Sequence, residues 1–190
     1  MGDEKRAAGV IARYILALII GLGNLYVIYL IFTPLTIYAS YYILGNIYSI
    51  ATADSIFLIN DTIIEISSAC VAGAAYYLLI ALNLLTPMNI KKRTLLFIIS
   101  IPLLFIANIL RIVVLSAMAV NGTAFFDITH KIIWYGLSTI FVVGIWFFCV
   151  WILKIKGIPV YTDFVNLKKM LVKPSAKNVS AKHGRKTKKK

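Results

Sequence analysis

Residues 94–120 read TLLFIISIPLLFIANILRIVVLSAMAV, an apolar run with a single charge, Arg111. A helix rises ~1.5 Å per residue, so this run is long enough to cross a ~30 Å hydrocarbon core. An arginine at mid-membrane costs ~2.5–3.5 kcal/mol on insertion scales, so such residues usually face a bundle interior and serve a function. Asn108 lies three residues earlier, on the same helical face, where its amide can help satisfy the guanidinium. A snorkelling arginine near a helix end is the plainer alternative.

The remainder of the chain fits this reading. Apolar residues make up 61% of it, and its mean hydropathy is +0.87. Long uncharged runs of this kind mark an all-α polytopic membrane protein. Residues 10–32 form a first apolar run with Arg13 near its start, too long for a signal-peptide core and so read as a retained anchor. Residues 34–53 carry Tyr38, Tyr41, Tyr42 and Tyr48, the aromatics favoured at a membrane–water boundary. They are expected to form an interfacial or re-entrant segment. In residues 55–67 two short β-branched runs flank Asn60-Asp61, which predicts a short β-hairpin. The next spans are residues 66–85, opening on small residues that favour close helix approach, then 94–120, then 132–153.

The charge pattern orients these spans. The net charge is +13. Three of the 20 lysines and arginines lie at the N-terminal end, three at Lys91–Arg93 and twelve from Lys154 onward, while residues 33–69 have none. The positive-inside rule then gives four spans with both termini cytoplasmic. The expected organisation is an anchor helix (1–32), an extracytoplasmic interfacial segment and hairpin (33–69), a three-helix core (70–153) and a basic cytoplasmic tail (154–190).

In this topology Cys70, Arg111 and His130, from three separate segments, reach the outer boundary together. Asp127, three residues before His130, is placed to orient the imidazole if the segment is helical, or to serve as a helix-start carboxylate. The combination suits acyl transfer. A thiol reacts as thiolate, which a nearby histidine or arginine promotes. A fixed guanidinium can stabilise an oxyanion, and His130 can take the thiol proton and return it to the leaving amine. Activity should then fall as His130 is protonated. Cys149, deep in the last span, is read as packing. The two cysteines fit neither a disulfide framework nor a zinc site, and no cofactor is implied.

Cys70 at the head of a span after a hairpin, Asn108-Ile-Leu-Arg111-Ile112 near the end of the next, and His130 before the last resemble the exosortase/archaeosortase family over residues 55–136. The resemblance implies a membrane cysteine transpeptidase or protease with Cys70 as nucleophile, assisted by Arg111 and His130. The implied substrates are exported membrane proteins whose C-terminal sorting signal combines a short motif, a transmembrane helix and a basic cluster, with water, an amine or a lipid as acyl acceptor. The family follows its cysteine with a small hydroxyl residue and glycine, whereas here Val71-Ala72 precede Gly73. Many members are also longer.

A non-enzymatic insertase or assembly factor is the competing expectation. An intramembrane arginine could line a hydrophilic groove, and the tail lysines could bind anionic lipid. Nucleic-acid binding by the tail need not be invoked.

Overall fold

A computed structural model of the chain describes residues 2–23, 25–133, 138–155 and 159; the basic tail of the sequence analysis lies almost wholly outside them. The elements are α1 (Gly2–Leu22), α2 (Tyr26–Gly45), β1 (Ile50–Ala53), β2 (Ile56–Ile59), β3 (Thr62–Glu65), α3 (Ser68–Val71), α4 (Gly73–Leu85), α5 (Ile90–Val120), α6 (Phe126–Ile132) and α7 (Ser138–Ile152). Three stretches are helical, long and apolar enough to cross a membrane: 26–45, 68–85 and 90–120. Residues 8–22 and 139–152 are shorter apolar helices. Side chains such as Leu30, Ile98, Leu110 and Trp151 are exposed on these helices, as expected where lipid rather than water is the surroundings.

Two expectations need correction. The first concerns the run 10–32, which is not one helix; residues 34–45 belong instead to a helix long and apolar enough to cross a membrane, and 50–53 form a strand. The break falls at Gly23–Leu25, where Leu25 takes a left-handed conformation with φ 58°, and α2 continues through Pro34 to Gly45. Glycines at 21 and 23 weaken the helix where it breaks, whereas proline is tolerated within helices in a bilayer. Helices α1 and α2 nevertheless advance in the same sense. Arg13 Nη1 donates to the Thr86 carbonyl just past α4 (3.4 Å), and the Tyr77 hydroxyl donates to the Ala17 carbonyl (3.3 Å). Farther along, the Tyr29 ring lies on Gly73 at the start of α4. Both helices thus run antiparallel to α4.

The second correction concerns the hairpin. Strands β2 and β3 pair across Asn60-Asp61, as the sequence predicts, and both turn residues have positive φ (45° and 66°). This is the two-residue geometry that matches strand twist. But β1, drawn from the supposed interfacial segment, adds a third strand in the order β1-β2-β3, all antiparallel. The sheet's inner face is apolar. Phe57 and Ile59 are fully buried in a cluster with Leu44, Ile66 and Ile112, so the sheet packs on the ends of α2 and α5.

A second cluster holds the helices together, with Tyr76, Leu79, Leu96, Leu104, Val142, Trp146 and Cys149 at its centre. Phe32 stacks on Tyr76 with ring centroids 3.9 Å apart. Asn83 Nδ2 donates to the Ser100 hydroxyl at 3.0 Å, a buried polar tie between α4 and α5 of the type that joins helices in lipid. Charge is segregated along the bundle. At one end Arg13 and Arg93 converge on the Thr86 carbonyl, and Lys92 Nζ caps α7 at the carbonyls of Leu153 and Lys154 (2.9 and 3.2 Å). The other end, with the sheet and α6, carries Asp54, Asp61, Glu65 and Asp127.

Candidate active site

The backbone around Cys70 is broken by design of its sequence neighbours. Helix α3 is a single turn, capped by Ala72 in the left-handed region (φ 61°) before α4 begins. A left-handed alanine costs ~1–2 kcal/mol. It also interrupts the helical ladder: the Ala69 carbonyl still accepts from the Ala72 amide at 3.3 Å, while the Cys70 carbonyl is left in need of a donor. Helix α5 supplies that donor and adds a second one at Ala69. Asn108 Nδ2 donates to the Cys70 carbonyl at 2.9 Å, and Arg111 Nη2 donates to the Ala69 carbonyl at 3.3 Å. Asn108 is buried and Arg111 half-buried. The guanidinium is also an electrostatic neighbour of the Cys70 thiol. Thus the one arginine of the apolar run meets the backbone of the cysteine turn.

Ser67 occupies the N-cap of that turn. Its carbonyl accepts from the Cys70 and Val71 amides (2.9 and 3.3 Å), while its hydroxyl donates to Cys70 Sγ at 3.6 Å. Sequence reasoning did not single out Ser67. The signal was present, since serine immediately before the first residue of a helix is a common N-cap, although here its hydroxyl turns to the sulfur instead of a backbone amide.

Cys70 is partly exposed, and it opens into a cavity of about 700 Å³, within the ~300–1,000 Å³ range of small-molecule clefts. The walls come from β3 and the residues after it, the last turns of α5, the loop 122–124 and α6. From α6 the lining residues are Phe126, Asp127 and His130, one face of a helix by their i, i+1, i+4 spacing. The His130 ring stacks on Phe126, centroids 5.6 Å apart and 19° from parallel. The structure therefore brings Cys70, Asp127 and His130 to one cavity, with Arg111 and Asp127 on different sides: Arg111 behind the cysteine turn, Asp127 exposed on α6. Glu65 also lines the cavity, brought there by the pairing of β3 with β2 rather than by any local motif. Cys149 is fully buried in the helical core, apart from this site. Among the described residues, no three His, Cys, Asp or Glu side chains gather in a way that could hold a metal ion.

No protein-family model, curated protein or solved structure matches this chain, so the functional reading rests on its own residues.

Proposed function

We propose that the chain is a membrane-embedded cysteine transpeptidase or protease acting through the cavity between β3 and α6. The observation that carries this reading is the shared cavity of Cys70 and His130, with the Arg111 guanidinium against the cysteine turn. The Cys70 sulfur, its proton taken by His130, attacks a peptide carbonyl. Charge develops on the carbonyl oxygen, and the Arg111 guanidinium, held against the back of the cysteine turn at the Ala69 carbonyl, lowers its cost electrostatically rather than by direct contact. The C–N bond then breaks, His130 returns the proton to the leaving amine, and a thioester remains. Attack by water or by an amine or lipid acceptor on that thioester releases the acyl group and restores the thiol. Asn108 and Ser67 hold the turn that carries the sulfur, and Asp127 stands one helical turn from His130.

The same reading gives four crossings. Helices α1 and α2 together make the first, followed by α3–α4, α5 and α7. The basic end then faces the cytoplasm of a plasma membrane and the cavity faces outward. The substrates proposed are exported membrane proteins with a C-terminal motif, helix and basic cluster, in keeping with the resemblance to exosortases and archaeosortases.

Co-expression with a protein bearing such a signal, followed by mass analysis of its C-terminus, tests the proposal. Cleavage by the native chain and none by Cys70→Ala at equal protein level is the expected outcome. Undiminished cleavage by Cys70→Ala would reject it.

A further inference from the structure

Strand β3 is an edge of the sheet, and its free side fronts the cavity. The direction of its backbone groups follows from the register. The Ile66 amide donates to the Ser55 carbonyl at 2.8 Å, so Ser55 and Ile66 form a hydrogen-bonded pair. Such pairs recur at every second residue of an antiparallel ladder, which makes Phe57–Ile64 and Ile59–Thr62 the next two. Thr62 and Ile64 therefore spend their N–H and C=O groups on β2, and Ile66 spends its N–H on Ser55. Those of Ile63 and Glu65 point the other way, two residues or ~7 Å apart. Residues 62–67 all line the cavity without alternation. A cavity that touched one face of the strand would meet every second residue; contact with all of them means that it lies along the edge.

We propose that this edge takes up an extended peptide as a fourth strand, which lays a peptide carbonyl beside Cys70. Outward N–H and C=O groups at fixed spacing match another peptide backbone, whereas an acyl chain offers them nothing. Opposite the edge the cleft is bounded by α6, and its volume of about 700 Å³ is on the scale of a short peptide segment rather than a whole sheet. The charge of the lining points to the peptide's side chains. Glu65 and Asp127 line the cavity and, among the described residues, no lysine or arginine does, which favours a basic residue near the bound segment. This inference deepens the reading of Cys70 as nucleophile and specifies how its substrate would be held.

Hydrogen exchange of the full chain in detergent micelles tests it, with Cys70→Ala present so that chemistry plays no part. The probe is acetyl-Val-Lys-Val-Lys-Val-Lys-amide. Its addition should slow exchange of the Ile63 and Glu65 amides by about ten-fold or more at saturation. N-methylation of the alternate peptide amides that face β3 should abolish this protection, and methylation of the other set should spare it. The Val-Glu analogue should bind more weakly, and Glu65→Lys should reverse that preference. Ile63→Pro removes an outward N–H that no ladder bond uses, a position where an edge strand accepts proline; it should weaken peptide binding while Ile64 stays protected. Absence of protection by the Val-Lys peptide, or equal protection by both methylated forms, would overturn the proposal. So would protection that grows with protein concentration alone. Alkylation of Cys70 in the native chain keeps the two ideas apart: a sluggish thiol with intact peptide protection defeats only the catalytic reading, and a reactive thiol without protection defeats only this one.

Discussion

Asn108 and Cys70, 38 residues apart in the chain, are joined by a 2.9 Å hydrogen bond from the asparagine amide to the cysteine carbonyl. That bond fixes a backbone turn that its own helix cannot satisfy, and with it the position of the sulfur. Replacing Asn108 by Leu leaves a carbonyl without its donor at a largely buried site, which costs ~1–3 kcal/mol. Thermal unfolding in micelles should register the loss, and turnover should fall with it.

Arg111 serves the same turn through the Ala69 carbonyl while setting a positive charge beside the thiol. Arg111→Met should slow Cys70 alkylation by iodoacetamide by roughly ten-fold, because the reacting species is anionic. Arg111→Lys should recover only part of the rate, since an ammonium cannot reproduce the planar, forked donor set of a guanidinium. Equal rates for all three would remove Arg111 from the chemistry.

The left-handed backbone at Ala72 is a local cost. Ala72→Gly relieves ~1–2 kcal/mol of strain and adds about 0.5–1 kcal/mol of backbone entropy cost. A net stabilisation between about 0 and 1.5 kcal/mol is therefore expected from unfolding measurements. Gly73→Ala should act in the opposite direction, because a Cβ there would lie 2.5 Å from Tyr29 Cζ.

The Asn60-Asp61 turn offers an independent check on the sheet. Asp61→Gly, giving the dipeptide best suited to two positive φ angles, should stabilise the hairpin by about 0.5–1 kcal/mol. Asp61→Val should destabilise it, as β-branched residues resist φ 66°. Exchange rates of the β2–β3 ladder amides read both.

Much of this was legible in the residues. Arg111 in an apolar run announced a buried partner, and Asn60-Asp61 between β-branched runs announced the hairpin. The helix break was not legible in the same way: Pro34 is the stronger local punctuation mark, yet the chain breaks at Gly23–Leu25, because tertiary contacts of Gly21 and Tyr29 with α4 decide where the path bends. Strand β1 was hidden for a related reason. Ile50-Ala-Thr-Ala53 has little strand character by itself and becomes a strand through pairing with β2. The pattern placed Asn108 beside the guanidinium, but the need for a donor at the Cys70 carbonyl arises only once Ala72 turns left-handed. Glu65 entered the cavity wall through the sheet register, a property of three strands that no local pattern encodes.

The central claim is that His130 activates Cys70 across the cavity. The rate of Cys70 alkylation by iodoacetamide, followed by intact mass from pH 5 to 8, tests it most directly, since histidine changes charge within that range. The native chain should react well at pH 7 and more slowly toward pH 5, and His130→Ala should react roughly ten-fold more slowly at pH 7. Superimposable profiles for the two proteins, both rising only toward the ordinary thiol range near ~8.5, would contradict the account.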